Sequence, residues 1–99
     1  MTWRVRYTGA ARDDLQRLFD FLLSKDPAAA KRAITIIGKG MTLLREFPFT
    51  CRKADPANPF LRELLISFGA AGYVALFEIE DGETVTILAV RHQRESDYH

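Results

Sequence analysis

The sequence predicts an α+β domain with the order β-α-α-β-β-β, in which an N-terminal strand and a helical hairpin pack on one face of an antiparallel sheet. Three observations lead there. Two apolar stripes at helical spacing lie between residues 10 and 47, and only Lys25 and Asp26 separate them. So short a connection between amphipathic helices makes an antiparallel hairpin. Residues 73–80 and 83–91 are β-rich and flank Asp81-Gly82, a dipeptide that supplies the two positive φ values of a tight type I′ turn. Residues 60–68 read as a further strand, and strands joined by short turns pair antiparallel.

Trp3, Val5 and Tyr7 alternate with Arg4 and Arg6, which gives a short strand with one wet face. Thr8 can cap the following helix, with Asp13 and Asp14 in its early turns, where free N–H groups and the macrodipole favour negative charge. Ala11, Leu15, Leu18 and Leu22 recur at spacings of four, three and four, predicting a helix over residues 10–24. Asp26-Pro27 restarts the chain as a second helix, because Asp caps the free amides and Pro fits the first turn. Its stripe is Ala30, Ile34, Ile37, Met41 and Leu44. Gly38 and Gly40 each cost this helix about 1 kcal/mol against Ala, and close packing of another element against them is the structural explanation.

Phe47-Pro48 ends the second helix, and residues 48–58 read as a loop long enough for so small a domain to be a candidate for function. Gly69-Ala70-Ala71-Gly72 is a flexible turn into the last hairpin. With a two-residue turn at Asp81-Gly82, Val74, Leu76, Val85, Ile87 and Ala89 would share one face. Tyr73, Ala75, Phe77, Ile79, Leu88 and Val90 would share the other. Both faces would then be apolar, a pattern that asks for a second cover: a partner chain, the chain's own loops or a second copy.

Ninety-nine residues, 47% hydrophobic and 27% charged, make one domain spanning residues 1–99. The apolar runs are too short to span a bilayer, and the N-terminus has no secretory pattern, so the expected location is the cytoplasm, with no membrane contact. Cys51 is the only cysteine; it has no disulfide partner and stands at no metal-ligand spacing from His92 or His99, so neither a metal nor a cofactor is expected. The net charge of +1 is too small for a nucleic-acid footprint, and strong direct binding to nucleic acid is not expected.

After the last strand the chain turns from apolar residues to Arg91-His92-Gln93-Arg94-Glu95, with nothing to bury and many groups able to bind. This ending, together with the element order, carries a resemblance. Tyr7, the helix opening at Ala11 to Leu15, Leu44 with Pro48, Leu61-Arg62-Glu63-Leu64, Gly72-Tyr73-Val74 and above all Ile87 through Glu95 to Tyr98 resemble the RelE/ParE superfamily of toxins from type II toxin–antitoxin systems. The likeness covers nearly the whole chain.

That resemblance implies two activities on one fold, so the choice rests on the site. RelE-like members cut messenger RNA on the ribosome with clustered basic residues and a C-terminal tyrosine; the matching residues here are Arg62, Arg91, Arg94 and Tyr98. ParE-like members, associated with plasmid stabilisation, bind DNA gyrase without chemistry of their own. Three departures favour the second reading. Only Arg52 and Lys53 stand where the nuclease pattern has closely spaced lysines. Base catalysis near neutrality calls for a side chain of tunable basicity, and His92 alone is of a fitting type. The Arg-His-Gln-Arg-Glu ending is typical of ParE-like sequences. The expected target contacts are Arg91, His92, Gln93, Arg94 and Tyr98, and the resemblance implies a ParD-like antitoxin, with contacts expected at Arg4, Arg6, Arg62, Tyr73 and Phe77. A non-toxic interaction module on the same fold is the third reading. The structural alternatives are a cross-strand ion pair for Arg62, a solvated tail for Arg91 and Arg94, and an edge histidine for His92.

Overall fold

Helix α1, Gly9–Lys25, starts at Thr8, whose hydroxyl accepts the Ala11 N–H at 3.1 Å. Asp26 separates it from α2, Pro27–Leu44, and its carboxylate accepts the N–H groups of Ala28 and Ala29 at 3.1 and 3.2 Å. These caps satisfy amides that the first helical turn leaves open, and Pro27 has no N–H to satisfy. The computed structural model describes residues 2–94; Tyr98, expected in both site readings, lies outside the described residues.

Five strands form one sheet in the order β1-β5-β4-β3-β2. They are β1, Arg4–Tyr7; β2, Arg52–Asp55; β3, Asn58–Phe68; β4, Ala71–Glu80; and β5, Thr84–His92. The α+β class and the order of the expected elements hold, with two additions. The segment expected as a loop contains a 3₁₀ turn at Pro48–Thr50 and the edge strand β2, antiparallel to β3. Strand β1 lies within the sheet and runs parallel to β5, from Arg4 opposite Thr84 to Tyr7 opposite Ile87, so the sheet is mixed. Arg52, Lys53 and Asp55 are charged and only Ala54 is apolar, and an edge strand needs neither apolar alternation nor a covered face, which is why composition did not reveal it.

Both helices cover one face. Leu18, Ala33, Met41 and Leu44 from the helices meet Leu64, Ile66, Tyr73, Phe77, Ile79, Val85, Ile87 and Val90 from the sheet. Each large side chain enclosed there contributes roughly 1.5–3 kcal/mol. A Cβ on Gly40 would stand 3.1 Å from Ile66 Cγ1 and 3.3 Å from Leu64 Cδ2, so the helix approaches β3 closely there as expected. Gly38 has nothing within 4 Å and does not follow that explanation. Gly72 does have a strict requirement, because a Cβ would collide with the Ile66 carbonyl oxygen across the β3–β4 turn.

The expectation of two apolar faces on the β4–β5 hairpin is corrected by the register. Asp81 and Gly82 have φ of 42° and 84°, the positive values expected, but Glu80 pairs with Thr84, leaving Glu83 in the turn. That shift carries Val85 and Ile87 to the helix-facing side, opposite Ile79 and Phe77. The far side then shows Leu61, Leu65, Val74, Leu76, Thr84, Thr86 and Ala89 among Glu63, Glu78, Glu80 and Arg91, because Leu65 pairs with Val74, Glu63 with Leu76 and Val74 with Arg91. It is a mixed surface and does not require a second apolar cover. Among the described residues no helix is long and apolar enough to cross a membrane.

Candidate functional site

Strand β5 leaves the sheet beside helix α1, and its last residues share a groove with that helix. Gly72-Tyr73 starts the pairing: Tyr73 stands opposite His92, their rings edge to face with centroids 5.7 Å apart. Phe68 packs against the other side of Tyr73 at 5.9 Å. Arg17, Leu18, Phe21 and Leu22 of α1 form the opposing wall, and Arg94 stands at the rim, around a cavity of about 720 Å³. The floor is aromatic and the rim is cationic, a combination that holds an apolar side chain flanked by negative charge. A second cavity of about 500 Å³ between α1, α2 and Tyr7 meets the first at Leu18, Leu22 and Tyr73, and continues past Ala30, Ile34 and Ile37. Phe21 and Ile34 are 59% and 53% exposed beside these grooves, so the helix pair keeps an uncovered apolar stripe.

The exit turn is fixed by its own backbone. The Gln93 N–H donates to the Gly72 carbonyl at 2.8 Å, and the Arg94 N–H donates to His92 Nδ1 at 3.1 Å. Arg91 donates to the carbonyls of His92 and Gln93 at 3.3 and 3.4 Å. His92, Gln93 and Arg94 thus form one local unit beside the groove. Arg91 belongs to the other side of the sheet: it pairs with Val74, three residues before Phe77, and so lies on the face opposite the core.

Arg62 is elsewhere. It pairs with Phe77 and stands on the helix side, beyond the helices, at the β2 end of the sheet. Its Nε donates to the Pro59 carbonyl at 2.7 Å, and a terminal nitrogen donates to those of Cys51 and Phe49 at 2.8 and 3.3 Å. The guanidinium also lies 5.3 Å from the centre of the Phe49 ring. The cross-strand ion pair at this place belongs to its neighbour Glu63, which bonds Arg52 of β2 at 2.9 Å. Arg62 is therefore the pin that shapes residues 49–59, and it does not converge with Arg91 or Arg94.

Arg4 and Arg6 are exposed on β1, on the far face at the edge opposite β2. Phe77 is fully enclosed by the protein's own core, so the expected antitoxin contact at this residue is corrected: it presents no surface. Tyr73 is 2% exposed and reaches a partner only through the groove it lines. Burial raises the pKa of Tyr73 and Tyr7 above the ordinary 10.0, so both phenols stay protonated near neutrality and neither is a base. Burial likewise raises the Cys51 thiol, opposed by the charge of Arg62.

Arg17, Phe21 and Phe68 went unnoticed in the sequence. A signal existed in α1, since Arg17 and Phe21 are spaced i, i+4 and share one face; Phe68 carried no signal beyond its place at a strand end. Asp14 was also misplaced, as a macrodipole residue. It is 4% exposed, and its Oδ2 accepts the Val90 N–H at 2.9 Å.

Comparison with known proteins agrees with the architecture. Residues 5–97 match the family described as the ParE toxin of the type II toxin–antitoxin system parDE. The chain is 37% identical over 86 residues to Toxin RelE3 of Caulobacter vibrioides, covering 86% of this chain and 88% of that one. It is 30% identical over 92 residues to Toxin RelE1 of the same organism, covering 93% and 95%. Its fold is similar to a chain of the chromosomal ParDE system from P. aeruginosa, with a TM-score of 0.72 at 20% identity over 92% of this chain and 96% of that one. A chain of the RelBE2 toxin–antitoxin complex from Mycobacterium tuberculosis gives 0.64 at 22% identity over 94% and 100%. An α+β sheet with two covering helices, the Arg-His-Gln-Arg exit and a family match over almost every residue lead to one assignment: the chain belongs to the ParE toxin family of type II toxin–antitoxin systems, within the RelE/ParE superfamily.

Proposed function

We propose that this toxin acts by binding bacterial DNA gyrase, with no reaction of its own, and that a ParD-like antitoxin neutralises it. One observation carries the choice. A nuclease of the related kind needs its cations gathered around one phosphate, whereas Arg62 and Arg91 stand on opposite faces of the sheet and Arg62 donates to the carbonyls of Pro59, Phe49 and Cys51. His92, Gln93 and Arg94 are the target contacts of this reading, with Arg91 contributing from the far face.

The antitoxin fits the continuous groove between α1, α2 and Tyr73. An amphipathic helix places apolar anchors against Leu18, Leu22, Ile34 and Ile37, and acidic residues near Arg12, Arg17 and Arg94. This replaces Arg62 and Phe77 as contacts, and Arg4 and Arg6, on the far face of β1, lie outside the groove. Purified toxin at stoichiometric amounts is expected to stop gyrase supercoiling or to trap cleaved DNA; undisturbed gyrase overturns the reading. The similarity to Toxin RelE3 and Toxin RelE1 supports a second reading, ribosome-dependent cleavage of messenger RNA. Its mark is cut messenger in a translating extract.

A further inference from the structure

Strand β5 contains one residue more than its partner. Phe77 pairs with Ile87 and Leu76 with Ala89, so Leu88 is an extra residue, a β-bulge in the middle of the last strand. Strand β1 ends at this level, with Tyr7 opposite Ile87, and the start of α1 takes over along the edge of β5. The Thr8 N–H donates to the Ile87 carbonyl at 3.0 Å, and the Thr8 hydroxyl lies 3.2 Å from both the Ile87 and Leu88 carbonyls. In a regular strand successive carbonyls point to opposite sides; here two successive ones reach a single hydroxyl, which requires the bulge. Two residues on, the outward Val90 N–H meets the buried Asp14 carboxylate.

We infer that Thr8 and Asp14 are positioning residues that hold the Leu88 bulge and thereby decide which residue of the exit faces the groove. The alternation of a strand makes this a choice of one out of two. With the bulge, His92 stands opposite Tyr73 in the groove and Arg91 opposite Val74 on the far face. Without it, counting on from Phe77–Ile87 places Arg91 opposite Tyr73, His92 on the far face, and the Val90 N–H toward β4. Only the bulged phase turns the Val90 N–H to Asp14. The clamp thus gives the groove an imidazole between Arg17 and Arg94 in place of a third guanidinium, and leaves Arg91 for the opposite surface. Asp14 stands 3.8 Å from an Arg17 terminal nitrogen on its own helix through one oxygen, while the other accepts the Val90 N–H across 76 residues, so the buried carboxylate ties the exit strand to α1.

The inference concerns which face each side chain occupies and stands whichever target the toxin has. Its test is structural, by NMR contacts and amide exchange on the folded protein. The parent is expected to show Tyr73–His92 ring contacts and a protected Val90 amide. In Asp14→Ala, Tyr73 exchanges its His92 contacts for Arg91 contacts, and the residue 90 amide loses its slow exchange. Asp14→Asn, which keeps an acceptor oxygen, retains the Tyr73–His92 contact while Val90 exchange quickens by about tenfold, the loss of the charge-assisted part of the bond. A folded Asp14→Ala that keeps Tyr73 against His92 overturns the inference. Should Asp14→Ala fail to fold, Asp14→Asn decides: Val90 exchange unchanged from the parent overturns it, and acceleration centred on Val90 with the ring contact kept supports it.

Discussion

Arg62 and Arg91 lie on opposite faces of the sheet, although both sit on strands that share β4 as a neighbour. Arg62 pairs with Phe77 and Arg91 with Val74; three residues along one strand is an odd step, and an odd step changes face. The two cations that the resemblance to nucleases would join are therefore separated by the thickness of the sheet.

Arg62 is expected to matter for stability before function. Arg62→Ala removes three donors to the carbonyls of Pro59, Phe49 and Cys51 and should cost about 1–3 kcal/mol, discounted because the group is partly in water. Arg62→Lys should restore little, since one ammonium cannot reproduce the fixed fork of the guanidinium. Urea unfolding gives the loss, and limited proteolysis should show residues 48–58 opening first. A folded Arg62→Lys that still inhibits gyrase separates the two readings, because cleavage through Arg62 would not survive it.

The two unlike glycines give opposite signs. Gly72→Ala drives a Cβ into the Ile66 carbonyl and should destabilise by more than about 3 kcal/mol, read as loss of soluble protein or a large fall in Tm. Gly38→Ala meets nothing within 4 Å and should stabilise by about 0.5–1 kcal/mol through helix propensity. A destabilising Gly38→Ala would show that the packing there has been misread.

The apolar stripe on the helices predicts a separation of binding from folding. Phe21 and Ile34 are more than half exposed, so Phe21→Asp and Ile34→Asp should change stability by about 0.5 kcal/mol or less. Each should weaken the antitoxin complex by about tenfold or more if the groove is its seat. Calorimetry with the cognate antitoxin measures it; unchanged affinity in the double variant would remove the groove from the interface.

Alkaline pH should expose the buried phenols. Tyr7 and Tyr73 have folded pKa values raised above 10.0 by burial, so the folded state keeps its protons where the unfolded chain releases them. Their stability contribution is full below about pH 10 and is lost as pH rises through and above that value. Unfolding midpoints of the parent and of Tyr73→Phe, compared from pH 8 to 11, should diverge only at the upper end, with the variant falling less.

Local chemistry determined the elements of this protein and much of their order. Thr8, Asp26-Pro27, the two helical stripes and Asp81-Gly82 act on near neighbours through caps, periodicity and backbone sterics, so one chain without coordinates sufficed for them, and Arg91 to Glu95 carried the superfamily. Tertiary structure alone decided where faces and partners fall. A strand's side chains alternate with a period of two, so the three-residue turn at 81–83 and the extra Leu88 each reverse which residues are buried. No count along residues 73–92 reveals either shift, because the groups that fix the bulge, Thr8 and Asp14, stand some eighty residues away in the chain. The edge strand β2 and the bonds of Arg62 to the carbonyls of Phe49, Cys51 and Pro59 were hidden for another reason: their partners lie within 13 residues in the chain, but residues 52–55 carry no apolar alternation to mark a strand.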